Sequence, residues 1–419
     1  MSLRSRVLDH LRRRMEGVPL ALVLWDGERI EFAPMPSVTL TLHSSRLARQ
    51  FLTGNMGRLG EAYVKGELTV DGRVEDVLAI GIALAERIGA SPVVRRLAPL
   101  FARRRRHSKA QDAADVRYHY DVSNEFYRLW LDRHMIYSCA YFPTGTEDLD
   151  TAQEAKLDHL CRKLRLRPGE RLIDIGCGWG GLVCWAAERY GVEAVGVTLS
   201  ERQAEEARLR IVAAGLDGRV EVRVQDYRDI PETAAFDKLV SVGMYEHVGR
   251  ANWPTYFATV ARVLKPGGLA LNHGITSGDR DGHAQGPPGG EFIDKYVFPG
   301  GELPHISRVL YEIAGAGLEP LDVEDLRPHY PLTLRHWVRR LEANREAAIA
   351  TAGPERYRIW RLYMPGMAYA FDRGWLGLAQ VLAAKPNRDA PAPRPWSRAY
   401  QYDPAAAVPL SRPLDWREG

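Results

Sequence analysis

The stretch Arg171-Leu172-Ile173-Asp174-Ile175-Gly176-Cys177-Gly178-Trp179-Gly180-Gly181 runs from a short apolar strand pattern into a glycine cluster and then into a helix pattern. A turn of this kind brings backbone N–H groups and a helix N-terminus to a strand end, where a nucleotide-like ligand is held. Gly176, Gly178 and Gly181 satisfy G-x-G-x-x-G, so a nicotinamide reading is weighed first. The discriminating position lies about 20 residues on, where that class places an acid on the ribose. Here the second strand ends Val197-Thr198-Leu199-Ser200, followed by Glu201-Arg202-Gln203, with no carboxylate at the tip. Thr198 and Gln203 still offer hydroxyl and amide groups to ribose oxygens, and the turn Asp226-Tyr227-Arg228 after the third strand flanks an adenine. The pattern favours S-adenosylmethionine over NAD, with Asp174, Gly176, Cys177, Gly178, Gly180, Thr198, Gln203, Tyr227 and Arg228 as candidate cofactor residues. A tight turn that binds nothing is the plain alternative. Against it, Asp174, the glycines and the polar ends of three successive strands converge on one crevice.

Those residues need a scaffold, and the flanking pattern supplies one. Short apolar strand candidates (RLIDIG, EAVGVTL, VEVRVQD, FDKLVSVG, GLALNHGI) alternate with helical stretches such as TLSERQAEEARLRIVAAG. This predicts an α/β fold with a doubly wound, mainly parallel sheet whose ligands bind at the carboxyl ends of the strands. Four parts are expected: a small mixed α/β module over 1–88, a basic linker over 89–114, a catalytic domain over 115–384 and a proline-rich, wrapped tail over 385–419.

The 419 residues, 45% hydrophobic and 26% charged, suffice for a full core and exclude disorder throughout. Charge placement says more than the net +4: residues 91–110 carry Arg95, Arg96, Arg103 to Arg106 and Lys109 with no acid. Such a block calls for an anionic partner, nucleic acid or an acidic lipid surface. The longest apolar run, Val77 to Ala85, is far short of the roughly 20 residues of a spanning helix, and no signal-peptide pattern opens the chain, so a cytoplasmic protein is expected. Cys139, Cys161, Cys177 and Cys184 form neither a disulfide framework nor a zinc motif.

Beyond the glycine turn, the segments HYDVSNEFY (119–127), MIYSCAYF (135–142), DIGCGWGGL, VTLSERQ, QDYRD, SVGMYEHVG, NHGI (272–275), KYVFPGGELP (295–304) and HYPLTLRHW (329–337) follow in order. Together they resemble the cyclopropane-fatty-acyl-phospholipid synthases, over about 115–382, with a weaker extension through 57–72. The resemblance implies methylene transfer from S-adenosylmethionine to a cis double bond of a phospholipid acyl chain. It adds Tyr137 and Ser138 to the cofactor contacts and implies a bicarbonate held by Cys139, Glu246, His273, Ile275 and Tyr330. Met367 stands where some members carry a cysteine, so no thiol chemistry is expected there.

Taken singly, these residues have bland readings: Glu246-His247 as a surface helix pair, Cys139 as a small buried hydrophobe, His273 as a strand-end residue and Tyr330 as a rim aromatic. The joint match to the family is what assigns them. His247, His283 and His305 are left as structural or surface residues. An alkene is a weak nucleophile, so the chemistry requires close alignment, exclusion of water and a base for ring closure. Aromatic faces at Tyr137, Tyr141, Phe142, Tyr245 and Tyr330 are candidates to stabilise a developing cation.

For a membrane substrate, Leu52, Met56, Leu59 and Tyr63 form a candidate lipid-handling set, with core packing as the alternative. Arg103, Arg104, Arg105 and Arg106 are candidates to meet an anionic leaflet from the inner side. The resemblance further implies a homodimer. A fatty-acyl methyltransferase giving methyl- or methylene-branched chains is the near rival. A nucleic-acid partner rests on the arginine run alone, without a stacking-aromatic signature, and is not expected. A non-enzymatic lipid binder would not need so complete a cofactor site.

Overall fold

In the computed structural model, residues 9, 11–52, 56–73, 75–77, 79–81, 83, 123–280, 290–297, 301–390, 394–403 and 405 are described. Arg103 to Arg106, His283 and the opening of the HYDVSNEFY motif lie outside them. By its contacts the chain divides into two compact units, one of 1–105, 282–299 and 337–370, the other of 106–281, 300–336 and 371–419.

The first unit is built on a four-stranded sheet of β1 (Leu20–Val23), β2 (Arg29–Glu31), β3 (Val38–Leu42) and β4 (Leu68–Asp71), ordered β2-β1-β3-β4. Val38, Leu40 and Leu42 of β3 are buried, at the period of two that a half-buried strand requires. Helices α1 (Ser45–Leu52) and α2 (Met56–Lys65) cover this sheet. Leu59 and Tyr63, expected in a lipid-handling set, are 6% and 8% exposed and belong to this core. Their apolar surface is already used in packing; the side chains of Leu52 and Met56 lie outside the described residues.

Residues 337–370, part of the expected catalytic stretch, group by their contacts with the first unit. Arg361 shows why: its guanidinium donates to Glu342 Oε1 at 2.8 Å, Tyr63 Oη at 3.0 Å and the Gly72 carbonyl at 2.9 Å. A cation with that many acceptors fixes its helix against the N-terminal sheet.

The second unit carries the predicted sheet. Its strands are β5 (Arg171–Ile175), β6 (Glu193–Thr198), β7 (Val220–Val224), β8 (Phe236–Val242), β9 (Leu264–Ser277), β10 (Glu319–Asp325) and β11 (Leu376–Ala384), ordered β10-β11-β9-β8-β5-β6-β7. Strands β5 to β9 pair in parallel, and β11 runs antiparallel to both β9 and β10. Helices α3 (Leu149–Leu164), α4 (Gly181–Tyr190) and α5 (Glu201–Ala213) bury one face of the sheet, while α6 (Trp253–Val263) and α7 (Ile306–Gly315) bury the other.

Burial on both faces explains why β5 and β6 read as continuous apolar runs. Strand order reverses between β5 and β8, the place where this architecture opens a crevice. Within the tail, the short helix Ala399–Tyr402 docks on α3, with Gln401 O accepting from Arg162 Nε at 3.1 Å.

Candidate active site

A crevice open to solvent lies at the carboxyl ends of β5, β6 and β8. Gly176 (φ 90°) and Gly178 (φ 54°) take left-handed backbone there, and a Cβ on Gly178 would meet nothing, so it would stand in space a ligand can fill. Tyr137, Ser138, Asp174, Gly176, Cys177, Gly178, Thr198, Gln203 and Tyr227 all line it. Gly180 and Arg228 do not. Gly180 begins α4, its Cα facing Ala207 of α5, and Arg228 lies over the Tyr227 ring and pairs with Asp226 at 2.6 Å. Thr198 donates to Gln203 Oε1 at 2.7 Å, so the pair expected at the second strand tip is preorganised, with the Gln203 amide nitrogen left to face a ligand.

Asp174 is 3% exposed and its Oδ1 has no hydrogen-bond partner among the described residues. Desolvation lifts this carboxyl to about 7, with Lys156 opposing the shift. A buried acceptor of this kind suits a ligand bearing hydroxyl or ammonium donors, and the adenosyl, ribose and amino acid groups of S-adenosylmethionine fit it. Sequence reasoning missed Lys156, which lines the same crevice, and His247, left as structural but also part of the wall. Burial lowers the Lys156 ammonium to about 8. Its signal was legible: Lys156 falls on the apolar stripe of α3 with Ala152 and Leu160, where a lysine needs a partner.

The five residues of the second expected group lie outside the crevice wall, all in the same unit. Glu246 is 6% exposed; its Oε1 accepts the Ile275 backbone N–H at 2.7 Å, and its Oε2 has no partner among the described residues. Desolvation raises this carboxyl to about 7. The bland reading of Glu246 as a surface residue therefore fails. Tyr245 Oη donates to the Ile275 carbonyl at 2.7 Å, and Gly274 permits that approach, since a Cβ there would sit 2.0 Å from the Tyr245 ring.

His273 is paired in register with Gln380 of β11, whose amide as oriented here donates to Nδ1 at 3.1 Å. Burial pushes the imidazole well below its usual pKa, so the ring is neutral with its proton on Nε2. Cys139 is buried, its thiol pushed up to about 12 by desolvation, and it faces Thr333 Oγ1 at 3.8 Å. That threonine, on α8 (His329–Ala343), also accepts the Ala140 N–H at 3.0 Å, joining the helix that carries Tyr330 to the Cys139 segment. Tyr330 packs against Phe371 with centroids 4.6 Å apart and rings tilted by 33°.

The aromatic candidates divide. Tyr137 faces the crevice, whereas Tyr141 stacks on His159 at 4.4 Å, Phe142 lies against His329 and His336, and Tyr245 is buried by its own hydrogen bond. His305 caps α7, accepting the Ser307 N–H at 3.2 Å.

A seven-stranded, mostly parallel sheet with a glycine-lined crevice at its switch point defines the class I S-adenosylmethionine methyltransferase fold. The same architecture is found in the cyclopropane synthase MmaA2 from Mycobacterium tuberculosis (TM-score 0.63, 34% identity, 65% of this chain and 98% of that one). It is also found in mycolic acid cyclopropane synthase CmaA1 complexed with SAH and CTAB (TM-score 0.62, 36% identity, 65% and 98% covered). A family model described as mycolic acid cyclopropane synthetase matches residues 107–381, and the chain belongs to that family.

A second model, a domain of unknown function, matches residues 7–88. Among relatives, a probable fatty acid methyltransferase of Pseudomonas putida is 46% identical over 92% of this chain and 96% of its own length. The cyclopropane-fatty-acyl-phospholipid synthase of Escherichia coli is 41% identical over 64% of this chain and 66% of its own length.

Proposed function

We propose that this protein transfers one carbon from S-adenosylmethionine to a cis double bond of an unsaturated phospholipid acyl chain and closes it to a cyclopropane ring. The observation that carries the reading is the pairing of the strand-end crevice with a buried, partner-poor carboxyl at Glu246 in one unit. S-adenosylmethionine, when bound, supplies an electrophilic methyl group. Asp174, Thr198, Gln203 and Tyr227 would bind and orient it, and Tyr137 and Trp179 would exclude water from the wall.

Bicarbonate, when bound, supplies a base for ring closure. Glu246 Oε2, the His273 Nε2–H and the Tyr330 hydroxyl are the groups that would hold it; the Ile275 N–H acts through Glu246, to which it already donates. An acid raised to about 7 solves the problem of placing an anion beside a carboxylate, because Glu246 brings a proton to share.

The phospholipid reading draws support from the E. coli relative and from the basic stretch 91–110. Peripheral association with the inner membrane face through Arg103 to Arg106, and a homodimer, belong to the same proposal. A fatty-acyl methyltransferase that leaves a branched chain is the second reading, favoured by the P. putida relative's name and by that of the tuberculostearic acid methyltransferase of M. tuberculosis, 34% identical over 88% of this chain.

Incubating the protein with unsaturated phosphatidylglycerol vesicles and S-adenosylmethionine tests the proposal. Acyl chains heavier by one CH₂ that take up no hydrogen on mild hydrogenation support the ring. Chains that take it up, or that are heavier by CH₂ plus two hydrogens, support the second reading, and unmodified lipid contradicts both.

A further inference from the structure

We infer that Lys156 is a positioning residue whose ammonium, buried in the crevice lining, fixes the Met135–Cys139 segment as one wall of the site. The proposal rests on the S-adenosylmethionine reading of that crevice. Met135, Ile136, Tyr137 and Ser138 form the wall, and none is in a regular helix or strand. Met135 has φ 57°, a left-handed backbone that a side chain disfavours, so the segment needs external restraint.

At the Met135 turn itself Asp132 Oδ1 accepts the Ile136 N–H at 2.8 Å, and at Ser138 the restraint comes from one face of α3. Lys156 Nζ donates to Ser138 Oγ at 2.8 Å, and Gln153, three residues earlier on the same face, donates to the Ser138 carbonyl at 2.9 Å. Lys156 is 2% exposed, which is costly for an ammonium unless it makes directed contacts. Beyond Ser138, the next residue is Cys139, which Thr333 meets from α8. The lysine therefore fixes the link between the cofactor wall and the cysteine side of the second group. Its reach to both is geometric, through a single residue.

The test reads the cofactor-free protein first. Cys139 labelling by a small maleimide, followed by peptide mass mapping, reports opening of the segment, with buried Cys161 as the internal reference. Lys156→Met is expected to speed Cys139 labelling about tenfold or more, as removal of one hydrogen bond to a charged group allows, while Cys161 stays protected. Ser138→Ala, which removes the acceptor and keeps the lysine, should act in the same direction, and the double variant should label no faster than Lys156→Met alone.

On enzyme with both substrates, Lys156→Met should raise KM for S-adenosylmethionine about tenfold with a smaller fall in kcat. Unchanged Cys139 labelling, or strictly additive effects in the double variant, overturns the proposal. Should Lys156→Met not fold, Ser138→Ala decides alone: faster labelling supports the clamp, unchanged labelling overturns it. Because labelling needs no cofactor, its outcome is separate from whether carbon transfer occurs.

Discussion

Glu246 keeps one carboxyl oxygen on the Ile275 N–H and the other without a partner among the described residues, and its proton affinity follows from its burial. A carboxyl whose folded pKa is raised adds stability below its unfolded value near 4.5, and that stability is lost as pH rises through about 7. Glu246→Gln removes this term, on the order of 3 kcal/mol at most for such a shift. The variant's melting temperature should therefore fall less than the wild type's between pH 5 and pH 8; equal falls would contradict a buried, titrating acid. The same variant should lose ring formation while isothermal titration shows S-adenosylmethionine binding nearly intact. Loss of both together would move Glu246 into the cofactor site. Sequence showed the residue types at this scale better than their surroundings. Asp174, Thr198 and Gln203 were legible because a glycine turn and a strand tip announce themselves. Lys156 carried a signal too, a lysine on the apolar stripe of its helix, whereas His247 sits in a helix pattern that reads equally well as packing.

Elements carry the site by approaching closely where glycine allows it. At Gly274 of β9 the Tyr245 ring occupies the space of a Cβ, which sets the helix end bearing Glu246 against the strand bearing His273 and Ile275. Gly274→Ala should displace Tyr245, break its bond to the Ile275 carbonyl and cost about 1–3 kcal/mol, as overpacking does. Thermal unfolding should show a lower melting temperature together with reduced product formation; a variant of unchanged stability and rate would show that this approach does not position the site. Strands β5 to β9 were readable because both faces are covered, which makes their apolar runs continuous. Strands β10 and β11 were not among the strand candidates, and an apolar run such as that of β11 carries no sign of its direction.

At the scale of the whole molecule, the division of the chain into units escaped the sequence for a related reason: the apolar faces of 337–370 do not say which core they cover. Arg361 states the answer in polar terms, through Glu342, Tyr63 and Gly72. Arg361→Met should destabilise the first unit by about 1–3 kcal/mol, because it removes charge-assisted hydrogen bonds to Glu342, the buried Tyr63 and the Gly72 carbonyl. Hydrogen exchange should quicken across β1 to β4, and unaltered protection there would contradict the role. The basic stretch predicts a further behaviour. Replacing Arg103 to Arg106 with alanine should weaken co-sedimentation with phosphatidylglycerol vesicles at low salt, by about 1 kcal/mol per arginine at most. Binding indifferent to salt and to these residues would remove the electrostatic account. The central claim is ring closure on a lipid chain, and S-adenosylmethionine with a fully deuterated methyl group tests it most directly. The account predicts an acyl product that has lost one deuteron from the transferred carbon and resists hydrogenation; a product retaining the whole deuterated methyl group would contradict it.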